Sequence, residues 1–175
     1  MSDLQYPIGK FHKKDTISAT ERATMIDGIA QTPGKLRAAV KGLSPQQLGT
    51  PYRPEGWTVQ QVVHHVADSH MNAYIRFKLA LTEEEPTIKP YDEKKWAELG
   101  DMRNTPVDVS LAMTEALHHR WDVLMRSIAP GDFARTFRHP EMGVMNLDAL
   151  VQLYHWHGMH HVAHITNLRE RNGWA

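Results

Sequence analysis

The last amphipathic stretch of the chain carries five histidines in ten residues, His155, His157, His160, His161 and His164, and this run constrains the fold more than any other feature. Leu147, Leu150, Val151, Tyr154, Ile165 and Leu168 surround it at three- and four-residue intervals, the spacing of one buried face of an α-helix. His157 and His161, four residues apart, project from that same face about one turn from each other. A helix that buries imidazoles beside leucines needs neighbours that cover the stripe and partners that satisfy the ring nitrogens. A single divalent ion shared by the two rings would do the latter.

Composition narrows what such a helix can belong to. At 175 residues the chain reads as one domain, residues 1–175, with residues 1–17 as an N-terminal arm laid on its surface. Twenty basic residues balance twenty acidic ones, which gives no electrostatic footprint for nucleic acid or an anionic membrane. Without cysteine there is no disulfide framework, no thiolate nucleophile and no cysteine-based zinc site, so a metal must rest on His, Asp or Glu. Residues 1–14 show no apolar run of signal-peptide length. No stretch reaches the roughly 18 apolar residues of a membrane span, and a cytoplasmic protein is expected. The twelve histidines are scattered rather than gathered at a terminus, and they belong to the fold.

Four long helices are predicted. The first covers residues 18–41, with Met25, Ile26, Ile29, Leu36 and Val40 on one face and Pro33-Gly34 expected to bend or interrupt it. Ser44-Pro45-Gln46-Gln47 has the spacing of a capping box with proline at the first helical position, and predicts a short helical turn. After a proline-rich loop over residues 50–57, the second long helix opens at Thr58 with Gln61 as its capping partner and runs to about residue 84. Residues 83–104 form a long crossover with a small helix near residues 94–99. The third helix is expected to have Thr105 as N-cap and Pro106 at its first position, and to end before Pro130-Gly131. Residues 133–145 suit a small hairpin around His139-Pro140. The fourth helix runs from Asn146 to about Asn172 and stops at Gly173. The result is an all-α chain, a four-helix bundle with one long crossover and a hairpin before the last helix.

Facing helices of a bundle are where side-chain metal sites are built. The second helix offers His64, His65 and His70 as a third ligand for His157 and His161, and His118 on the third helix is a fourth candidate. Projection at 100° per residue puts His64 and His65 on either side of the apolar stripe and His70 within it, so periodicity does not choose among them. A lone buried histidine is more often a hydrogen-bonded core residue than a ligand, but several on buried stripes together need satisfaction together. His155 and His160 fall at the stripe edges, where solvent or a supporting role is expected. The zincin motif is excluded because Gly158 stands where its glutamate would be. A di-iron bundle lacks its inward Glu-x-x-His pairs. Two axial haem ligands cannot both come from His157 and His161 on one helix.

The runs Gly56-Trp57-Thr58 to Lys78, with His64-His65, Asp68 and His70, and His155 to Ile165 resemble the YfiT group of the DinB-like superfamily. Tyr6-Pro7-Ile8-Gly9, Pro51-Tyr52-Arg53, Lys89-Pro90-Tyr91-Asp92 and His139-Pro140 extend the resemblance over nearly the whole chain. It implies a DinB-like four-helix bundle, a homodimer, and a metal-dependent hydrolase holding one divalent ion per subunit, zinc or else nickel. It also implies the ligand set His65, His157 and His161. Met159 departs from related patterns in which another histidine stands, and leaves those three intact. With three neutral imidazoles and an open position, the ion would activate water against a small-molecule substrate, with His64, Asp68 or His164 as the group that moves protons or supports a ligand. Two alternatives use the same ligands. One is an S-transferase that activates a low-molecular-weight thiol such as bacillithiol, and the other is a non-catalytic metal-binding protein.

Overall fold

The computed structural model describes residues 4–174. Its frame is four long helices: α1 (Ala19–Val40), α3 (Val59–Thr82), α6 (Val107–Ser127) and α7 (Leu147–Asn172). Each of α1 and α3 packs on both α6 and α7, so the helices form a ring in the order α1, α6, α3, α7. Chain neighbours α6 and α7 therefore stand diagonally opposite, joined by a 3₁₀ turn at Pro130–Ala134 and the antiparallel hairpin of β1 (Thr136–His139) and β2 (Gly143–Asn146). A short helix α2 (Pro45–Leu48) precedes α3, and α4 (Glu93–Trp96) and α5 (Gly100–Asn104) interrupt the crossover from α3 to α6. Among the described residues no helix is long and apolar enough to cross a membrane.

The helix ends follow from local chemistry. Thr58 Oγ1 accepts from the Gln61 N–H at 3.2 Å, and the Thr58 N–H donates to Gln61 Oε1 at 2.9 Å, closing the box that starts α3. Ser18 with Glu21 and Ser44 with Gln47 repeat the device. Asn146 caps α7 through the Ala149 N–H, and Gly173 ends that helix in the left-handed conformation (φ 64°) that glycine adopts without a Cβ penalty.

Three local expectations are corrected. Thr105 does not cap α6. It lies extended before Pro106, as proline favours in the residue preceding it, but Pro106 is itself non-helical (φ −59°, ψ 142°), so α6 starts one residue later, with Pro106 as its N-cap and no side-chain cap bond. The crossover holds two short helices, and the first begins at Glu93, because Asp92 caps it through the Lys95 N–H. Pro33 does not interrupt α1, which runs through it as a single element.

Two apolar clusters fill the bundle. Near one end Ile29, Phe77, Trp121, Met125, Leu150 and Tyr154 pack together. Near the other are Leu36, Val59, Val62, Val66, Ile165 and Leu168. Between them lies a polar waist, where Thr32, His65, His70, Thr114, His118 and His161 are all buried. At the same level α1 and α7 come so close that a Cβ on Gly158 would stand 2.6 Å from Thr32 Oγ1. The residue that rules out the zincin motif is thus the one that lets these two helices touch.

Candidate metal centre

The waist brings three imidazoles to one point. His65 on α3 and His157 and His161 on α7 each offer a ring nitrogen within 4.8 Å of the others. His65 Nε2 and His157 Nε2 are 3.3 Å apart, while the His161 ring centroid lies 4.5 Å from that of His157 and 4.8 Å from that of His65. Zinc–imidazole bonds of about 2.0–2.1 Å in tetrahedral geometry require ligand nitrogens about 3.3–3.4 Å apart. The His65–His157 separation already has that length, so the donor set fits a small divalent ion.

Electrostatics agree with the geometry. Burial pushes the His65 pKa down to about 3, helped by the neighbouring His160 and His164. Burial, and then the other rings of the cluster, hold His157 and His161 well below the usual histidine range. All three are neutral near pH 7, the form in which imidazole offers a lone pair to a metal.

The centre opens onto a cavity of about 650 Å³ walled by Tyr52, Trp57, Gln61, Trp156 and His160. Trp57 lies 4.5 Å from His65, ring to ring. A second cavity of about 680 Å³ reaches His157 from another direction, between Ser69, Arg76, Tyr91, His139 and Tyr154. Glu93 and Lys94 of α4 line both. Glu93 is the one carboxylate common to the two among the described residues, and desolvation by the surrounding protein raises its pKa although the residue is exposed. Nothing in the sequence pattern singled it out. The only local signal was the Pro90-Tyr91-Asp92 run before it.

The remaining histidines take separate places. His164 lines the first cavity, stacked on Tyr52 at 3.9 Å, with Nε2 3.1 Å from the Gln5 carbonyl and Nδ1 3.3 Å from His161 Nδ1. His160, expected at the stripe edge, is buried instead, sandwiched between Trp156 and Tyr6 of the N-terminal arm. His70 sits behind His157, its Nε2 3.1 Å from His157 Nδ1. His64 is not brought to the centre. Both its nitrogens are engaged on the other side of α3, with Ser110 Oγ at 2.7 Å and the Thr105 carbonyl at 3.1 Å. Asp68 lines neither cavity. Burial and the nearby Asp101 raise its pKa to about 6.

Comparison with known proteins gives a consistent picture. The chain is 57% identical over 174 residues to a protein of Bacillus mycoides (strain KBAB4) and 58% identical to one of Bacillus cereus (strain 03BB102). Both are named "Putative metal-dependent hydrolase", and each alignment covers 99% of this chain and all of the relative. The solved structure of YfiT from Bacillus subtilis, described as a probable metal-dependent hydrolase with an unusual four-helix bundle topology, superposes with a TM-score of 0.96. It is 48% identical and covers 98% of this chain and 99% of its own. The family model of the DinB superfamily matches residues 29–165, which contain all three histidines of the centre, and the protein belongs to the DinB superfamily.

Proposed function

We propose that the protein is a metal-dependent hydrolase of small molecules in which His65, His157 and His161 hold one divalent cation, zinc or else nickel. The observation that carries this reading is the convergence of three neutral imidazoles at the wall of an open cavity. Three protein ligands leave a coordination position for water or substrate, which is the pattern of catalytic rather than structural sites. An ion held there supplies Lewis acidity, lowering the pKa of water towards about 7 and polarising a substrate carbonyl.

The chain's own residues do the rest. Trp57 and Tyr52 provide apolar walls that orient a substrate and exclude bulk water. Glu93, held on the capped turn α4 and with its pKa raised by desolvation, accepts and returns the proton. His164, with its two nitrogens engaged, supports His161 rather than moving protons. The names carried by the relatives support the reading as a metal-dependent hydrolase.

The test is metal analysis and turnover together. His157→Ala and His161→Ala are expected to lose stoichiometric metal, and unchanged metal content in both would refute the centre. Glu93→Gln is expected to keep the metal and lower kcat on ester or amide substrates about 10²-fold or more. Turnover of an electrophile only when a small thiol is added, with no hydrolysis, would overturn the water reaction in favour of thiol transfer.

A further inference from the structure

The buried imidazoles His70 and His118 reach neither cavity and cannot touch a substrate held in them. They form a continuous line that ends on His157. The Ile29 carbonyl lies 2.8 Å from His118 Nδ1, His118 Nε2 lies 2.7 Å from His70 Nδ1, and His70 Nε2 lies 3.1 Å from His157 Nδ1. The His70 and His118 ring planes are 20° apart with centroids 4.9 Å apart, the edge-to-edge arrangement of an in-plane N–H···N bond.

A neutral imidazole has one N–H and one lone pair, so a line of them has only two possible directions. A carbonyl can only accept. His118 must therefore donate from Nδ1, which leaves its Nε2 as acceptor. His70 then donates from Nδ1 and accepts at Nε2, and His157 donates from Nδ1. The lone pair of His157 is left on Nε2, the atom that faces His65.

We infer that Ile29, His118 and His70 are a positioning line that locks His157 in the Nδ1–H tautomer and so presents its Nε2 lone pair to the metal, and that Pro33 is the residue that frees the anchoring carbonyl. In a regular helix the Ile29 carbonyl accepts from the N–H four residues on, and that residue is Pro33, which has none. The proline inside α1 thus removes the competing donor. A shorter line does the same for the second ligand on α7. The Gln5 carbonyl takes the His164 Nε2–H, and His164 Nδ1 takes the His161 Nδ1–H, which leaves His161 Nε2 bare. Both ligands of α7 are thereby oriented from behind by a backbone carbonyl acting through histidine. The functional weight of the line rests on His157 being a metal ligand, as proposed above, but its direction does not.

Long-range ¹H–¹⁵N imidazole spectra of the metal-free protein test the direction. His118, His70 and His157 are expected to carry their protons on Nδ1, against the ordinary preference of histidine in water for Nε2–H. An Nε2–H tautomer at His157 would overturn the inference whether or not the protein binds metal. Zinc titration with a competing chelator then reads the consequence. His118→Phe, which keeps a ring but no nitrogen, is expected to weaken zinc about 10–100-fold. In His118→Gln the amide can again donate to Ile29 and accept from His70, and most of the affinity should return. Unchanged affinity in a folded His118→Phe protein would refute the line. Pro33→Ala gives the sharpest readout, because restoring the helix N–H should raise the urea midpoint while weakening zinc roughly several-fold. A merely structural proline would move the two together or leave zinc unchanged, and either result would remove Pro33 from the line.

Discussion

His65 Nε2 and His157 Nε2 stand 3.3 Å apart across the seam between α3 and α7, with both rings at the wall of the first cavity. A shared ion there ties the two helices together and binds the folded state alone. Stabilisation grows with free metal, reaching about 2.7 kcal/mol at one hundred times the Kd. The Tm of the metal-loaded protein is expected to fall on addition of chelator, and the same chelator should leave the Tm of His157→Ala unmoved. An equal chelator effect in both would place the stabilising ion elsewhere.

Acid sensitivity should begin at unusually high pH in the metal-free protein. Burial lowers the folded-state pKa of His118 from 6.5 to about 4, and His160 and His164 are likewise lowered to about 4. Above pH 6.5 neither folded nor unfolded chain protonates them. As pH falls from 6.5 towards 4 the unfolded chain takes up protons that the folded chain refuses, so stability declines through this window and is not regained below it. The urea midpoint is expected to drop already between about pH 6.5 and 5, before most carboxylates titrate, and to drop less in His118→Phe. A midpoint flat over that interval would contradict the burial of these rings as neutral species.

The contact between α1 and α7 leaves no room for a side chain at Gly158. A Cβ there meets Thr32 Oγ1 at 2.6 Å and Thr32 Cγ2 at 2.8 Å, and a β-branched residue in a helix has little rotamer freedom with which to yield. Overpacking of this kind costs about 1–3 kcal/mol, while the better helix propensity of alanine returns at most about 1 kcal/mol. Gly158→Ala should therefore lower the urea midpoint, and a stabilised variant would mean that the helices part easily here.

The start of α3 sets the position of His65 two turns later. Thr58→Ala removes the side-chain acceptor of the Gln61 N–H and half of a reciprocal cap, a loss of about 1 kcal/mol. Stability should fall by about that amount in denaturant unfolding, with metal stoichiometry retained because the helix is held by its buried face. Loss of metal would show that the cap also sets the ligand.

Much of this architecture is legible in the sequence, and what is not has a definable cause. Thr58 with Gln61, Asn146 and Gly173 mark helix ends because capping is local chemistry. The spacing of His157 and His161 puts both on one face for the same reason. The third ring is different. His64, His65 and His70 all lie near one stripe, and their destinies depend on which neighbour each meets. His64 finds Ser110 and the Thr105 carbonyl, His65 the cavity, and His70 the edges of His118 and His157. Periodicity gives a face but not the helix opposite it, and only family resemblance pointed to His65. Thr105 misled because Pro106 is itself non-helical, which starts the helix at Val107 and leaves Thr105 one residue too early to cap it. Glu93 was invisible because the path of a crossover is set by the bundle it spans.

The continuity of α1 through Pro33 bears on any attempt to rebuild this centre in another scaffold. A designer copying His65, His157 and His161 by distance would transplant every ligand and omit a residue with no polar side-chain atom, in a different helix, that leaves a carbonyl without its regular partner. The copy would hold the right nitrogens in the right places with their hydrogens unassigned. What must be grafted is a gap in a hydrogen-bond ladder.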